Sequence, residues 1–530
     1  MIKSCGVALV RLLEKYGVDT VFGIPGVHTL SLYKGLEGSS MKHISPKNEQ
    51  GAGFMADGYA RATGKPGVAF IITGPGVTNA ATPMGQAFSD SIPMLIISST
   101  NARASLGRGE GRLHEITDQR AVTAPLTAFS ETVFEPDQIP GLLAKAFDVF
   151  NSQRPRPVHI EIPIDVLDLP VDEEWEIAPS RGKPEPDQNL IEEAAAKILA
   201  SNKPLIYAGG GVRLAGRELK ELMEKAQMPL VTTVAGKGVV PEDHPLSLGS
   251  GLTETAIHDR IAASDLVVVL GSEMAETDTW VPQLNIPGEI IRVDIDPQEL
   301  HGNYSASLAI RADGQKAIAA LSKALGNGRA KDEELVNEVK AIRSNSISLR
   351  SDLSQKHDRL VATMQEVIPE NTMVLTDMTQ IAYSGAYTFQ SVLPDTWLHP
   401  MGFGTLGYAV PAAIGAKVGT PDRAVIALVG DGGLLYTVQE MACAHEINLP
   451  VIIVLWDNDR LGEIYDGMVR NDQEPIGVSP RNPDYVMMAK AFGFNTTQAT
   501  TRAEFSDQLT AALSHKGPSF IRLHQNHDYD

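Results

Sequence analysis

Residues Val425–Tyr436 read VIALVGDGGLLY, an apolar run that stops at Gly-Asp-Gly-Gly before a second apolar pattern begins. A continuous run of this kind suits a strand covered on both faces, as in a parallel sheet. Glycines at a strand-to-helix turn let backbone N–H groups approach a phosphate, and the helix that follows favours negative charge. Asp431 is misplaced beside a phosphate unless a divalent cation lies between them. Magnesium does this, combining one or two protein oxygens with substrate phosphates. The plain alternative is that Asp431 caps a helix beginning near Leu434.

The next strand bears on that choice. LPVIIVLWDN, 449–458, ends in Asp457-Asn458, so a second oxygen ligand emerges at the same sheet edge. One helix in TVQEMACAHEIN, 437–448, is expected between the two strands, which makes them parallel and adjacent. The same rhythm runs through the chain. A first block has DTVFGIPG, GVAFIITGPG, PMLIISS and RPRPVHIEIPIDV as strands, with a helix ending near Lys15, one over 49–62 and one through Ala87. The polar, proline-rich passage 171–189 reads as a linker. KPLIYAGGG, MPLVTTVAG, DLVVVLGS and GEIIRVDIDP form a second block. The charged helical stretch from about 332 to 356 resembles a second linker, and NTMVLTDMTQ opens the third block. The fold class is therefore α/β, with three domains of central parallel sheets flanked by helices. In such sheets ligands bind beyond the carboxyl ends of the strands.

Composition narrows the function. The 530 residues are enough for about three domains, and the net charge of −20 disfavours nucleic acid and anionic membrane surfaces. Cys5 and Cys443 are the only cysteines, which fits a reducing compartment. No apolar run reaches the roughly 18–20 residues of a membrane span, so the expected location is the cytoplasm.

GDG, a crossover helix, a buried strand and a terminal Asn resemble the fingerprint of thiamine diphosphate enzymes. Further motifs extend the likeness along the chain: GIPG, KNEQGAGFMADGYARATGKPGV, GPGVTN, SDSIP, GKGVVPEDHPLSLG and GFGTLGYAVPAAIGA. They resemble acetolactate synthases and 2-oxo-acid decarboxylases. The resemblance implies a pyrimidine-binding domain over 1–170, a middle domain over 188–330 and a diphosphate-binding domain over 357–530. It gives Asp431, the Asn458 side chain and the Arg460 carbonyl as Mg²⁺ ligands. The family usually has Asn-Asn where this chain has Asp457-Asn458, a departure at the position that is not the side-chain ligand.

By the same resemblance Glu49 is the carboxylate that hydrogen-bonds the aminopyrimidine and promotes loss of the thiazolium proton. Gly26, Thr379, Gln380, Gly404, Leu406, Gly432 and Gly433 match cofactor-contacting positions. Glu49 and Asp431 meet across two subunits in the family, which implies a homodimer or homotetramer.

The substrate end departs from both kinds of relative. Val27 in GIPGVHTL replaces the acidic relay of pyruvate decarboxylases. His114 in GRLHEITDQRAVTAP falls near their paired histidines but is followed by Glu115, and acetolactate synthases typically have glutamine at this position. A histidine can donate a proton near neutral pH; its plain alternative is a polar loop residue. Glu463, in DNDRLGEIYDGM, stands where acetolactate synthases have methionine. A buried carboxylate there needs compensation, and a guanidinium supplies it bidentately; pairing with Arg460 or Arg470 is the structural alternative. With PIGVSPRNPDY following, this region resembles 5-guanidino-2-oxopentanoate decarboxylases. VVVLGSEMAETDTW lacks the Arg-Phe-Asp-Asp-Arg run linked to flavin, and Gly209, Gly211 and Gly216 do not satisfy dinucleotide spacing, so FAD is not expected. The reading is a non-oxidative 2-oxo-acid decarboxylase. The alternatives are a carboligase of the acetolactate synthase type and a non-catalytic subunit of the same fold.

Overall fold

The structure of the chain is a computed structural model, which describes residues 3–348 and 350–529. Short strands β1 (Lys3–Ser4) and β8 (Pro170–Val171) pair antiparallel and close the first block on itself. That block holds β2 (Thr20–Gly23), β3 (Lys42–Ile44), β4 (Gly67–Ile71), β5 (Met94–Thr100), β6 (Phe129–Thr132) and β7 (Val158–Pro163). The second holds β9 (Pro204–Ala208), β10 (Leu230–Thr232), β11 (Ser247–Gly249), β12 (Leu266–Leu270), β13 (Glu289–Asp294) and β14 (Leu308–Arg311). The third holds β15 (Met373–Thr376), β16 (Trp397–Leu398), β17 (Val425–Gly430), β18 (Ile452–Asp457), β19 (Asn495–Ala499) and β20 (Ser519–His524).

Each block is a six-stranded sheet, and the strand orders sort them into two kinds. The first runs β3-β2-β4-β5-β7-β6 and the third β16-β15-β17-β18-β20-β19, the same order counted within each block. The middle sheet runs β11-β10-β9-β12-β13-β14, the order of dinucleotide-binding folds. Order reverses between β2 and β4 and between β15 and β17, so each outer sheet has a ligand crevice at the matching place. In the middle sheet the equivalent place is filled by backbone: the Gly211 N–H donates to the Gly271 carbonyl at 3.0 Å.

Among the contacts that join the blocks are two buried junctions. Helix Glu49–Thr63 crosses helix Ala409–Gly419 at backbone distance. A Cβ on Gly58 would lie 1.9 Å from the Ala412 carbonyl oxygen, and one on Gly415 1.9 Å from that of Met55. Beside this seam Arg61 bridges Asp57 and Asp90, both at 2.6 Å, and Tyr408 donates to Asp57 at 2.7 Å. In GKGVVPEDHPLSLG, Lys237 and Glu242 form a buried pair at 2.8 Å, and Glu242 also accepts the Ser391 N–H at 2.8 Å. That pair ties the middle block to the third. Burying both charges is tolerable because their remaining polar atoms are also satisfied.

The charged stretch 332–356 is not a bare linker. It contains helix Glu333–Ser348 and the start of helix Asp352–Val367. Val339 is buried against the middle sheet's core, and Leu360, Val361 and Met364 enter the core of the third. Within the charged sequence Leu335, Val336, Val339 and Ile342, spaced three and four apart, supply the face on the middle block, and Leu353 begins the face on the third.

Candidate active site

The carboxyl ends of β15, β17 and β18 bring the expected metal and diphosphate residues together. Asp431 is buried, at 3% exposure. Its helix begins at Asp431 itself, with Gly430 as N-cap and no side-chain cap bond. The capping role near Leu434 is therefore not the one its carboxylate plays. The connection to β18 is two short helices, Asp431–Tyr436 and Glu440–Glu446, rather than one. Thr437 breaks them, turning its hydroxyl to the Gly407 carbonyl at 2.8 Å. β17 and β18 are parallel neighbours, as the sequence implied.

One terminal atom of the Asn458 amide lies 3.2 Å from Asp431 Oδ1 and 2.6 Å from the Arg460 carbonyl oxygen. If that atom is nitrogen, it donates to both. If it is oxygen, three oxygens face one another without a proton, and a cation is what satisfies them. The donor set therefore fits a hard divalent metal. Burial, with Asp457 adding repulsion, pushes the Asp431 carboxyl up to about 6, and a bound cation offsets both effects. Asn482 donates to Asp431 Oδ2 at 2.7 Å and Tyr485 to its backbone carbonyl at 2.9 Å.

Thr379 Oγ1 would lie 2.9 Å from a Cβ on Gly430, so the first turns after β15 and β17 touch across the crevice. The Gln380 amide reaches Asp466 at 2.9 Å and Asn458 at 3.4 Å. Gly433 packs on Asp377, which accepts the Gly407 N–H at 2.9 Å and so orients the loop of Gly404 and Leu406. Gly404 has φ +63°, a conformation that favours glycine. Leu406 is half-buried, and Gly432 closes against Leu461.

The first block places Glu49 at the start of its helix, with Asn79 donating to Oε2 at 3.0 Å. Glu49 Oε1 would be 3.3 Å from a Cβ on Gly76. Gln119 accepts the Thr73 hydroxyl and the Gly74 N–H, both at 2.9 Å, and so clamps the turn that leads from β4. Over Gly74 lies the His114 carbonyl, 2.4 Å from where a Cβ would sit; His114 itself has φ +59°. Glu115 turns away and accepts the N–H groups of Gly109, Glu110 and Arg112 within its own loop. Gly26 packs on Ile72, and Val27 is 64% exposed.

The two groups of residues stand at the strand ends of different sheets. Gly76, beside Glu49, and Gly85, beside Phe403, stand nine residues apart on helix Pro75–Ser89, about 13 Å along its axis. Val27, Leu30 and Leu113 are exposed near Glu49; Tyr436, Ile464 and Ile476 are exposed on the segments around the metal ligands.

Glu463 differs from its expectation. It is half exposed rather than buried, and Arg470 holds it at 3.0 Å, the structural alternative weighed above. Helix Gly462–Arg470 is amphipathic, and its first turn stands at the rim rather than under cover. Asp466, one turn on, shares the Gln380 amide with Glu463, at 2.9 and 3.5 Å. Sequence reasoning missed Asn482, Tyr485, Asp377 and Asp466. Asn482 and Tyr485 lie in PIGVSPRNPDY, which was read only for its overall likeness.

The chain matches the N-terminal TPP-binding domain of thiamine pyrophosphate enzymes over residues 3–122, the central domain over 191–321 and the C-terminal TPP-binding domain over 377–523. It belongs to the thiamine pyrophosphate enzyme family. It is 48% identical over 523 residues to the probable 2-ketoarginine decarboxylase of Pseudomonas aeruginosa, covering 98% of this chain and 94% of that one. A probable acetolactate synthase large subunit of Methanocaldococcus jannaschii is 34% identical over 542 residues, 97% and 91% of the two chains. The large subunit of acetolactate synthase isozyme 1 of Escherichia coli is 32% identical over 530 residues, 97% and 92%. Among the described residues no helix is long and apolar enough to cross a membrane.

Proposed function

We propose that the chain is a Mg²⁺- and thiamine diphosphate-dependent lyase that decarboxylates a 2-oxo acid without oxidation, its preferred substrate class carrying a guanidino tail, as in 5-guanidino-2-oxopentanoate. The observation that carries the tail assignment is Glu463, a rim carboxylate beside Gln380 that already holds a guanidinium, that of Arg470, at 3.0 Å. The 48% identity to a chain named for 2-ketoarginine decarboxylation points the same way.

In this reading Asp431, Asn458 and the Arg460 carbonyl hold the metal, with Asn482 orienting Asp431. Thr379, Gln380, Gly432 and Gly433 hold the diphosphate, and Gly26, Gly404 and Leu406 contact the rest of the cofactor. The bound cofactor supplies the electron sink that makes loss of CO₂ possible. Glu49 hydrogen-bonds its pyrimidine and shifts a proton there; Asn79 keeps that carboxylate aimed. His114 donates the proton that replaces CO₂ on the substrate carbon, and Val27 lines the space beside it. Domain limits of 1–170, 188–330 and 357–530 complete the reading.

The working unit is a homodimer or homotetramer in which Glu49 of one chain serves Asp431 of another. The placement of the two groups on different sheets and the apolar side chains exposed on the surrounding segments support this. No flavin is required, the protein works in the cytoplasm, and it binds neither nucleic acid nor membrane.

A panel of 2-oxo acids, scored for CO₂ and for the product, tests the proposal. Fastest CO₂ release from the guanidino acid, with one aldehyde per CO₂, is the expected result. Acetolactate from pyruvate as the main product would overturn it in favour of the carboligase, the reading that the 34% and 32% relatives favour.

A further inference from the structure

The RPRPV motif before β7 carries two guanidiniums that the proposed function leaves unused. A proline follows each arginine, which restricts Arg154 and Arg156 to extended backbone. Residues two apart on an extended segment point to the same side. That side is a cavity of about 660 Å³ between the first and middle blocks. Arg181, from the linker, and Arg311, the last residue of β14, line it as well. Phe88, Ile295 and Pro297 supply apolar wall, and Asp296 is the one carboxylate in the lining. Four guanidiniums therefore converge in a chain whose net charge is −20.

Two of the four are already paired. Arg154 holds Glu273 at 2.8 Å and Glu299 at 2.5 Å, and Arg181 meets Asp148 at 3.0 Å. Among the described residues, Arg156 and Arg311 have no carboxylate at ion-pair distance; Glu273, Asp296 and Glu299 act on Arg156 only from further away. Arg156 is half-buried, lies over the Phe88 ring at 4.2 Å and donates to the Phe88 carbonyl. Burial and the neighbouring Arg154 bring its pKa down to about 10. A half-buried cation without an anionic partner is costly, and an anion in the cavity offsets that cost.

We propose that this cavity binds a phosphate group, free or carried by a small soluble molecule, held by Arg156 and Arg311 across the junction of the first and middle blocks. A phosphate offers oxygens in several directions and meets guanidiniums from separate segments, whereas a carboxylate offers two oxygens in one plane and suits a single fork. The cavity lies toward the β14 edge of the middle sheet, away from the place between β9 and β12 that backbone fills. None of its lining residues is among those assigned to cofactor, metal or substrate, so the inference does not depend on the decarboxylation reading.

Calorimetry tests it on the thiamine diphosphate- and Mg²⁺-loaded protein, whose diphosphate anchor is occupied and cannot take the probe. Inorganic phosphate and ribose 5-phosphate are titrated, with succinate as the dicarboxylate. The expected result is saturable phosphate binding that weakens roughly tenfold or more in Arg156→Gln and in Arg311→Gln, the loss of a hydrogen bond to a charged group. Arg217→Gln, which removes an exposed arginine paired with its neighbour Glu218, should leave the affinity unchanged. Tighter binding of ribose 5-phosphate assigns the site to an organic phosphate, and equal binding assigns it to the free anion. No saturable binding of either would overturn the proposal, as would an affinity unmoved in both cavity variants. An equal loss in Arg217→Gln would overturn it too, since that marks general charge attraction. Succinate binding as tightly as phosphate would overturn the choice of a tetrahedral anion. If Arg156→Gln does not fold, Arg311→Gln, at an exposed position, decides.

Discussion

The first and third blocks share one strand order, yet their matching crevices carry different chemistry. Beyond β17 and β18 the residues are oxygen donors held from behind: Asp431 by Asn482 and Tyr485, and Asn458 against the Arg460 carbonyl. Around the crevice between β2 and β4 they are titratable groups: Glu49, held by Asn79, and the imidazoles of His28 and His114, which meet edge to face. Topology decides where a ligand sits, and the side chains at the strand ends decide what is done to it. In the proposed function one crevice anchors and the other moves protons. Losses in the two should therefore look different.

Glu49→Gln should have the largest effect on turnover, a fall of roughly 10²–10⁴-fold, the range for loss of acid–base catalysis. Thiamine diphosphate binding, followed by calorimetry, should persist in this variant at ordinary Mg²⁺. Near-normal turnover would remove the proton role from that crevice. Asp431→Ala should act on binding instead. At limiting Mg²⁺ its cofactor affinity should drop by more than the roughly 10–100-fold typical of an outer-shell loss, and excess Mg²⁺ should recover part of it. An affinity unmoved by the substitution at any Mg²⁺ concentration would deny the anchor.

Asn482→Ala, which removes only the group behind Asp431, should weaken Mg²⁺-dependent cofactor binding by roughly 10–100-fold. The same affinity as wild type would mean that Asp431 needs no support. Glu463→Gln should raise KM for the guanidino acid about tenfold, the low end for a hydrogen bond to a charged group, and leave pyruvate unchanged. Equal losses on both substrates would sink the tail assignment. Arg470→Gln should be the mildest, within about 1 kcal/mol in thermal unfolding because its ion pair is exposed. KM for the guanidino acid should hold or fall in that variant, since a competing guanidinium is gone; a clear rise would place Arg470 in substrate binding.

The grouping of Asp431 with Asn458 was legible because both follow neighbouring parallel strands, and a buried apolar run ending in Asp or Asn announces itself. Asn482 was less legible: it joins Asp431 only through the return of a loop, and an Asn before Pro usually signals no more than a turn. His28 was passed over although it stands beside Val27. Only the fold brings it to His114 and leaves its Nδ1 without a partner among the described residues. Glu463 shows the opposite error. It was expected to be buried and to meet a substrate guanidinium, whereas the guanidinium it meets in the fold is that of Arg470; burial cannot be read from helix spacing, and the first turn of its helix stands at the rim.

The sequence alone determined the fold class and the family and offered a candidate set of oxygen ligands, because strand periodicity and strand-end residues are local properties. It also determined the candidate roles of Glu49 and Asp431. Tertiary structure decided that the outer sheets share one strand order, that the middle crevice is filled by the Gly211–Gly271 contact, and that two imidazoles meet edge to face. These depend on contacts between segments far apart in the chain, which follow from packing and carry no short-range signal.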